Sequence, residues 1–158
     1  MRVKDILQEK GGAVITIDAG QNIHAAITKL NHHGIGALIA LEENGTIAGI
    51  ITERDVMQNC GNRCGRLKEP PTPEEDECAF LVKDIMTKEL VIGVPSDDLN
   101  YVMNIMTKNR IRHLPILDRG QLAGMISIGD LVNAHFEEKI FENRTLKEYV
   151  HAWAHKRD

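Results

Sequence analysis

The feature that most constrains this chain is that its sequence is written twice. Val3-Lys4-Asp5-Ile6 recurs as Val82-Lys83-Asp84-Ile85. Ile23, Ile27, Leu30 and Ile35 then correspond to Leu99, Met103, Met106 and Ile111 at a constant offset of 76. A one-residue deletion moves the offset to 75, and Gly45, Ile47, Gly49, Thr52 and Asp55 match Gly120, Leu122, Gly124, Ser127 and Asp130. Agreement at so many spaced positions marks a duplicated unit of about 55 residues, and the chain must fold as two copies of whatever one unit forms.

Each copy reads as β-α-β-β-α, giving a mixed α/β (α+β) fold. A β-rich run, Ala13 to Ile17 or Leu90 to Val94, meets a turn signal at Asp18-Ala19-Gly20 or Pro95-Ser96-Asp97. The helix that follows has apolar positions at i, i+4 and i+7, namely Ile23, Ile27, Leu30 and Leu99, Met103, Met106. That spacing predicts one buried face. Two strands around a tight turn come next, Ala37 to Leu41 with Ile47 to Ile51 and Leu114 to Leu117 with Leu122 to Ile126, Asn44-Gly45 being a strong hairpin signal. A second helix is expected from Thr52 and from Ser127. The repeats are thus placed at 1–60 and 81–135, with a linker at 61–80, where Gly61 to Glu77 is rich in Gly, Pro, Arg and Glu. A helical tail is expected at 136–158, with Leu131 to Phe141 and Leu146 to Trp153 helical and a break at Asn143-Arg144-Thr145.

At 158 residues the chain is long enough for a core without disulfides or a structural metal. Aromatic residues are only 4% and the formal charge is −4, which argues against base stacking and against nucleic acid as a partner. The longest nearly apolar stretch, Gly34 to Leu41, is far short of the roughly 20 residues that span a bilayer, so no membrane partner is expected. The start of the chain lacks the apolar run of a secretory signal, which makes the cytoplasm the expected location. Cys60, Cys64 and Cys78 then read as free thiols ahead of zinc ligands or a redox pair, because the paired Cys-x2-Cys spacing of structural zinc sites is missing. His151 and His155 read as surface histidines, and His32-His33 as favourable charge at a helix C-terminus. No nucleophile-base constellation or phosphate loop stands out, so an enzyme is not expected.

One chemical motif occurs in both copies. Thr52 and Ser127 each end a strand and begin a helix, with an acid, Asp55 or Asp130, three positions on. Taken alone, this is a capping box. The same geometry also puts a carboxylate with two acceptor oxygens, suited to a ribose diol, beside helix N–H groups suited to phosphate.

Gly49-Ile50-Ile51-Thr52-Glu53-Arg54-Asp55 and Gly124-Met125-Ile126-Ser127-Ile128-Gly129-Asp130, with Arg112-His113-Leu114-Pro115-Ile116 in the second copy, resemble the cystathionine-β-synthase (CBS) domain family. The resemblance covers about residues 1–60 and 80–135. It implies a tandem pair, a Bateman module, whose repeats pack about a pseudo-twofold axis with two clefts that bind adenosine-containing ligands (AMP, ADP, ATP, NAD or S-adenosylmethionine), commonly as a homodimer. Carried over residue by residue, it assigns Thr52 and Asp55 to the ribose, Arg112 and Arg54 to phosphate, and His113, Leu114 and Pro115 to the base edge of one cleft. Ser127 and Asp130 face Gly36, Ala37 and Leu38 in the other, where no basic residue or proline stands. A nucleoside, a ligand with its phosphates directed elsewhere, or nothing would fit there. The function expected is a regulatory module that passes nucleotide occupancy to an effector protein the sequence does not reveal; a structural dimerisation module with non-binding clefts is the alternative. The homodimer contact is expected from helix faces carrying Val102 and Val132, supplemented by Tyr149, Val150 and Trp153.

Overall fold

The structure is a computed structural model that describes residues 1–64 and 80–154, and the side chains of 1–59 and 80–148. The linker expected from residue 61 is corrected at its start, because residues 61–64 continue the helix that begins at Glu53. Residues 65–79 and the thiols of Cys60, Cys64 and Cys78 lie outside the described residues, as do the side chains of Tyr149, Val150, His151, Trp153 and His155. The element order is α1 (Val3–Lys10), β1 (Thr16–Asp18), α2 (Ile23–His33), β2 (Ala37–Leu41), β3 (Ile47–Thr52), α3 (Glu53–Cys64), α4 (Val82–Ile85), α5 (Leu99–Asn109), β4 (His113–Asp118), β5 (Gln121–Ser127) and α6 (Ile128–Ala154). The fold is mixed α and β, and the duplication is visible in it.

Two compact units form, and they do not follow the order in which the repeats are written. One joins Met1–Ala13 to Ile92–Asp158, and the other is Val14–Val91. The short helix that opens each written repeat therefore packs in the unit of the other repeat.

The recurring Val-Lys-Asp-Ile explains how. Val3 and Val82 are fully buried, while Asp5 and Asp84 each accept the backbone N–H three residues back, from Arg2 (2.8 Å) and Leu81 (3.0 Å). An acid satisfying a free N–H at a helix start fixes the helix end, and the valine anchors it. Where these segments cross the sheets, a glycine leaves room for them. A Cβ on Gly124 would stand 2.5 Å from Leu7, and one on Gly49 would stand 2.6 Å from the Thr87 carbonyl oxygen.

In the unit of Val14–Val91 the sheet order is β1-β2-β3, with β1 parallel and β3 antiparallel to β2. Its core gathers Ile17, Ile23, Leu30, Leu38 and Ile51, with Val82 and Met86 from the visiting segment. In the other unit β4 and β5 pair antiparallel. The strand expected at Leu90 to Val94 is reduced to a single bridge between Gly93 and Ile116. Pro95 has no N–H to extend a ladder, and the Val94 amide is captured by Asp97 Oδ2 at 2.8 Å.

Three further expectations need correction. The buried stripe of the first helices is Ile23, Ala26, Leu30 and Leu99, Val102, Met106, with Ile27 and Met103 only partly covered. Val102 is thus fully buried within its own unit and cannot form a homodimer contact, whereas Val132 is 54% exposed. The break expected at Asn143-Arg144-Thr145 is absent, and α6 runs unbroken from Ile128 to Ala154. Asn143 Nδ2 donates to the Lys139 carbonyl (3.1 Å) and Thr145 Oγ1 to the Phe141 carbonyl (3.0 Å), so both side chains fold back along the helix.

Candidate functional site

Each antiparallel strand pair ends at the start of a helix, and this junction carries the motif. Thr52 is the last residue of β3 and Ser127 the last of β5. The Thr52 amide and hydroxyl both donate to Asp55 Oδ2, at 2.8 and 2.7 Å, and the Asp55 amide donates back to Thr52 Oγ1 at 3.3 Å. Ser127 and Asp130 repeat the pattern at 2.7, 2.7 and 3.3 Å. These reciprocal bonds hold one carboxylate on the first turn of α3 and one on the first turn of α6, both half-buried.

The middle strand of each unit lies beside its own acid. Ala37 pairs with Thr52, and the Gly36 carbonyl accepts the Glu53 amide at 3.1 Å. Likewise His113 pairs with Ser127, and the Arg112 carbonyl accepts the Ile128 amide at 2.9 Å. The structure thus brings Gly36 and Ala37 together with Thr52 and Asp55, and Arg112 and His113 together with Ser127 and Asp130. Arg54 and Arg112 are exposed. Ala37, Leu38, Leu114 and Pro115 are buried, and the Pro115 carbonyl accepts the Gly93 amide at 3.0 Å.

The two acids differ in one neighbour. Lys10 Nζ at the end of α1 donates to Asp130 Oδ2 at 2.6 Å and to the Met125 carbonyl at 3.3 Å. Burial works to raise the Asp130 carboxyl, but hydrogen bonds from Lys10 and Ser127 and the Lys10 charge outweigh it and hold the group below the usual carboxylate range. Motif reading passes over Lys10, since nothing in a one-dimensional pattern ties it to an acid 120 residues away. A surface depression lined by Asp18, Gly20, Glu42, Glu43, Asn44 and Lys83 contains none of the motif residues.

Residues 3–61 and 82–137 each match the CBS domain family. This chain belongs to that family. The CBS domain-containing protein CBSX3, mitochondrial, of Arabidopsis thaliana is 31% identical over 156 residues, covering 94% of this chain and 71% of that protein. Among solved structures, the CBS-domain containing protein ATU1752 from Agrobacterium tumefaciens superposes with a TM-score of 0.75 at 34% identity, covering 85% of this chain and 92% of that one. The fold also matches the CBS domain pair of MJ0100 in complex with 5'-methylthioadenosine and S-adenosyl-L-methionine, with a TM-score of 0.71 at 22% identity, covering 87% and 98%. CBSX2 in complex with AMP matches with a TM-score of 0.66 at 20% identity, covering 87% and 98%. The two matched segments account for the duplication. No described helix is long and apolar enough to cross a membrane.

Proposed function

We propose that this CBS pair is a non-enzymatic regulatory module that binds an adenine nucleotide (AMP, ADP, ATP or NAD) and passes its occupancy to an effector protein. The observation that carries the reading is the duplicated carboxylate on a helix's first turn, held by a strand-end hydroxyl in a chain of a family whose members include structures solved with adenosine-containing ligands. In the tighter site Asp55, steadied by Thr52, accepts the ribose hydroxyls. Arg112, a bidentate donor, and Arg54 hold phosphate, and His113, Leu114 and Pro115 present backbone and ring to the base. Ser127, Asp130, Gly36 and Ala37 belong to the weaker site. The same reading makes the chain a cytoplasmic homodimer with neither nucleic-acid nor membrane partner. Both capping boxes are complete without a ligand, which favours a structural dimerisation module as the competing reading.

Calorimetric titration separates the two. A charge-assisted bond contributes roughly 1.5–3 kcal/mol, so Asp55→Ala is expected to weaken AMP binding at least about tenfold. Arg112→Ala is expected to weaken AMP more than adenosine, with a loss that shrinks as salt rises. Asp130→Ala is expected to leave this binding event unchanged. Loss of AMP binding in Asp130→Ala alone would overturn the site assignment, and a wild-type chain inert to every adenine nucleotide would leave the dimerisation module standing.

A further inference from the structure

We infer that Lys10 is a built-in competitor at Asp130: its ammonium is paired with the carboxylate that the second repeat offers to a ribose, so a nucleotide must compete with it for that acid. The inference rests on the nucleotide-binding reading and adds a residue from outside the motif. Asp130 Oδ2 already accepts three donors, the Ser127 amide and hydroxyl at 2.7 Å each and Lys10 Nζ at 2.6 Å. A vicinal diol is best held by both oxygens of a free carboxylate, and here one oxygen is loaded and its charge paired. At Asp55 the described bonds to Oδ2 come from Thr52 alone. Two acids in equivalent positions are therefore unequal before any ligand arrives.

The backbone that carries Lys10 is fixed while its side chain is not. Val3 and Ile6 are buried, Leu7 packs against Gly124 of β5, and the Gly11 amide closes the helix on the Leu7 carbonyl at 2.9 Å. Lys10 thus stands beside β5. Its side chain is 43% exposed, and a half-exposed lysine on a flexible stem can leave its partner at modest cost. Such a contact weakens a site without abolishing it. It also gives α1, the segment that visits this unit from the far end of the sequence, a direct part in how the second repeat binds.

The test is AMP calorimetry on the full chain as wild type, Lys10→Met, Lys10→Gln and the double variant Lys10→Met with Asp130→Asn. Lys10→Met and Lys10→Gln are expected to tighten the weaker AMP event about fivefold and to leave the tighter event within about twofold, as loss of a partly exposed pair allows. The double variant is expected to lose the gain. Thermal melts confirm that each variant is folded, and the two single substitutions guard against a fault of either one. A weaker event that is unchanged in both overturns the inference, and one that weakens makes Lys10 a ligand contact, which overturns it equally. If no variant takes up AMP or adenosine, the nucleotide reading itself fails; if AMP binds but ignores Lys10, only the competitor fails.

Discussion

Asp55 and Asp130 are the same residue of one repeated motif, and their neighbours set them apart. The depressed carboxyl of Asp130 makes the Lys10 contact visible in stability as a function of pH. A carboxyl that holds its proton less tightly when folded stabilises the fold above the ordinary carboxylate value, near 4, and loses that contribution as the pH falls through its lower folded value. With Lys10 and Asp130 both partly exposed, the effect is about 1 kcal/mol or less. Denaturant titrations across the acid range should show a shallower acid limb for Asp130→Asn than for the wild type. Coincident limbs would mean that the pair does not persist in solution. The motif, the hydroxyl and the acid were all legible in the sequence because capping is a local, short-range pattern. Lys10 was not, because its partner is distant in the chain and only the fold brings them together.

Among the elements, the antiparallel strand pairs and the first helices were readable from alternation, turn residues and period. What could not be read was which turn of the helix would face inward most directly. Ile23, Ile27 and Leu30 stand close to the true stripe, but small Ala26 sits at its centre, and in the second copy the equivalent position is Val102. The missing strand before Pro95 and the unbroken α6 both turned on side chains bonding to nearby backbone, Asp97 in one case and Asn143 and Thr145 in the other. The two motif glycines support a prediction at this scale. Gly49→Ala would press a methyl onto the Thr87 backbone oxygen and should cost about 2–3 kcal/mol, whereas Gly124→Ala meets the tip of the flexible Leu7 side chain and should cost about 1 kcal/mol. Chemical denaturation gives the order, and a Gly124→Ala variant less stable than Gly49→Ala would contradict it.

For the whole molecule, the repeat made the family and the mixed fold legible, yet the exchange of the opening helices between compact units was not. A duplicated sequence announces two equal units but does not say which copy's helix closes which sheet. The molecule also leaves an apolar stripe on α6, where Val132, Phe136, Ile140 and Leu146 fall on one side of the helix and are exposed, Phe136 at 66%, while Phe141, 72% exposed, stands on another face. Large exposed apolar side chains so close together on one helix suit a homodimer contact. Sedimentation at tens of micromolar should therefore give a dimer, and Phe136→Asp should shift it toward monomer. A wild-type monomer would contradict the homodimer. The central claim, that this CBS pair holds an adenine nucleotide, is met most directly by mass spectrometry of the small molecules released on denaturing the purified chain, with equilibrium dialysis against AMP, ADP, ATP and NAD for any preparation that comes out empty. The expected result is an adenosine-containing molecule released from the protein or retained by it in dialysis at about one per chain or more. A chain that releases none and retains none of the four would contradict the claim.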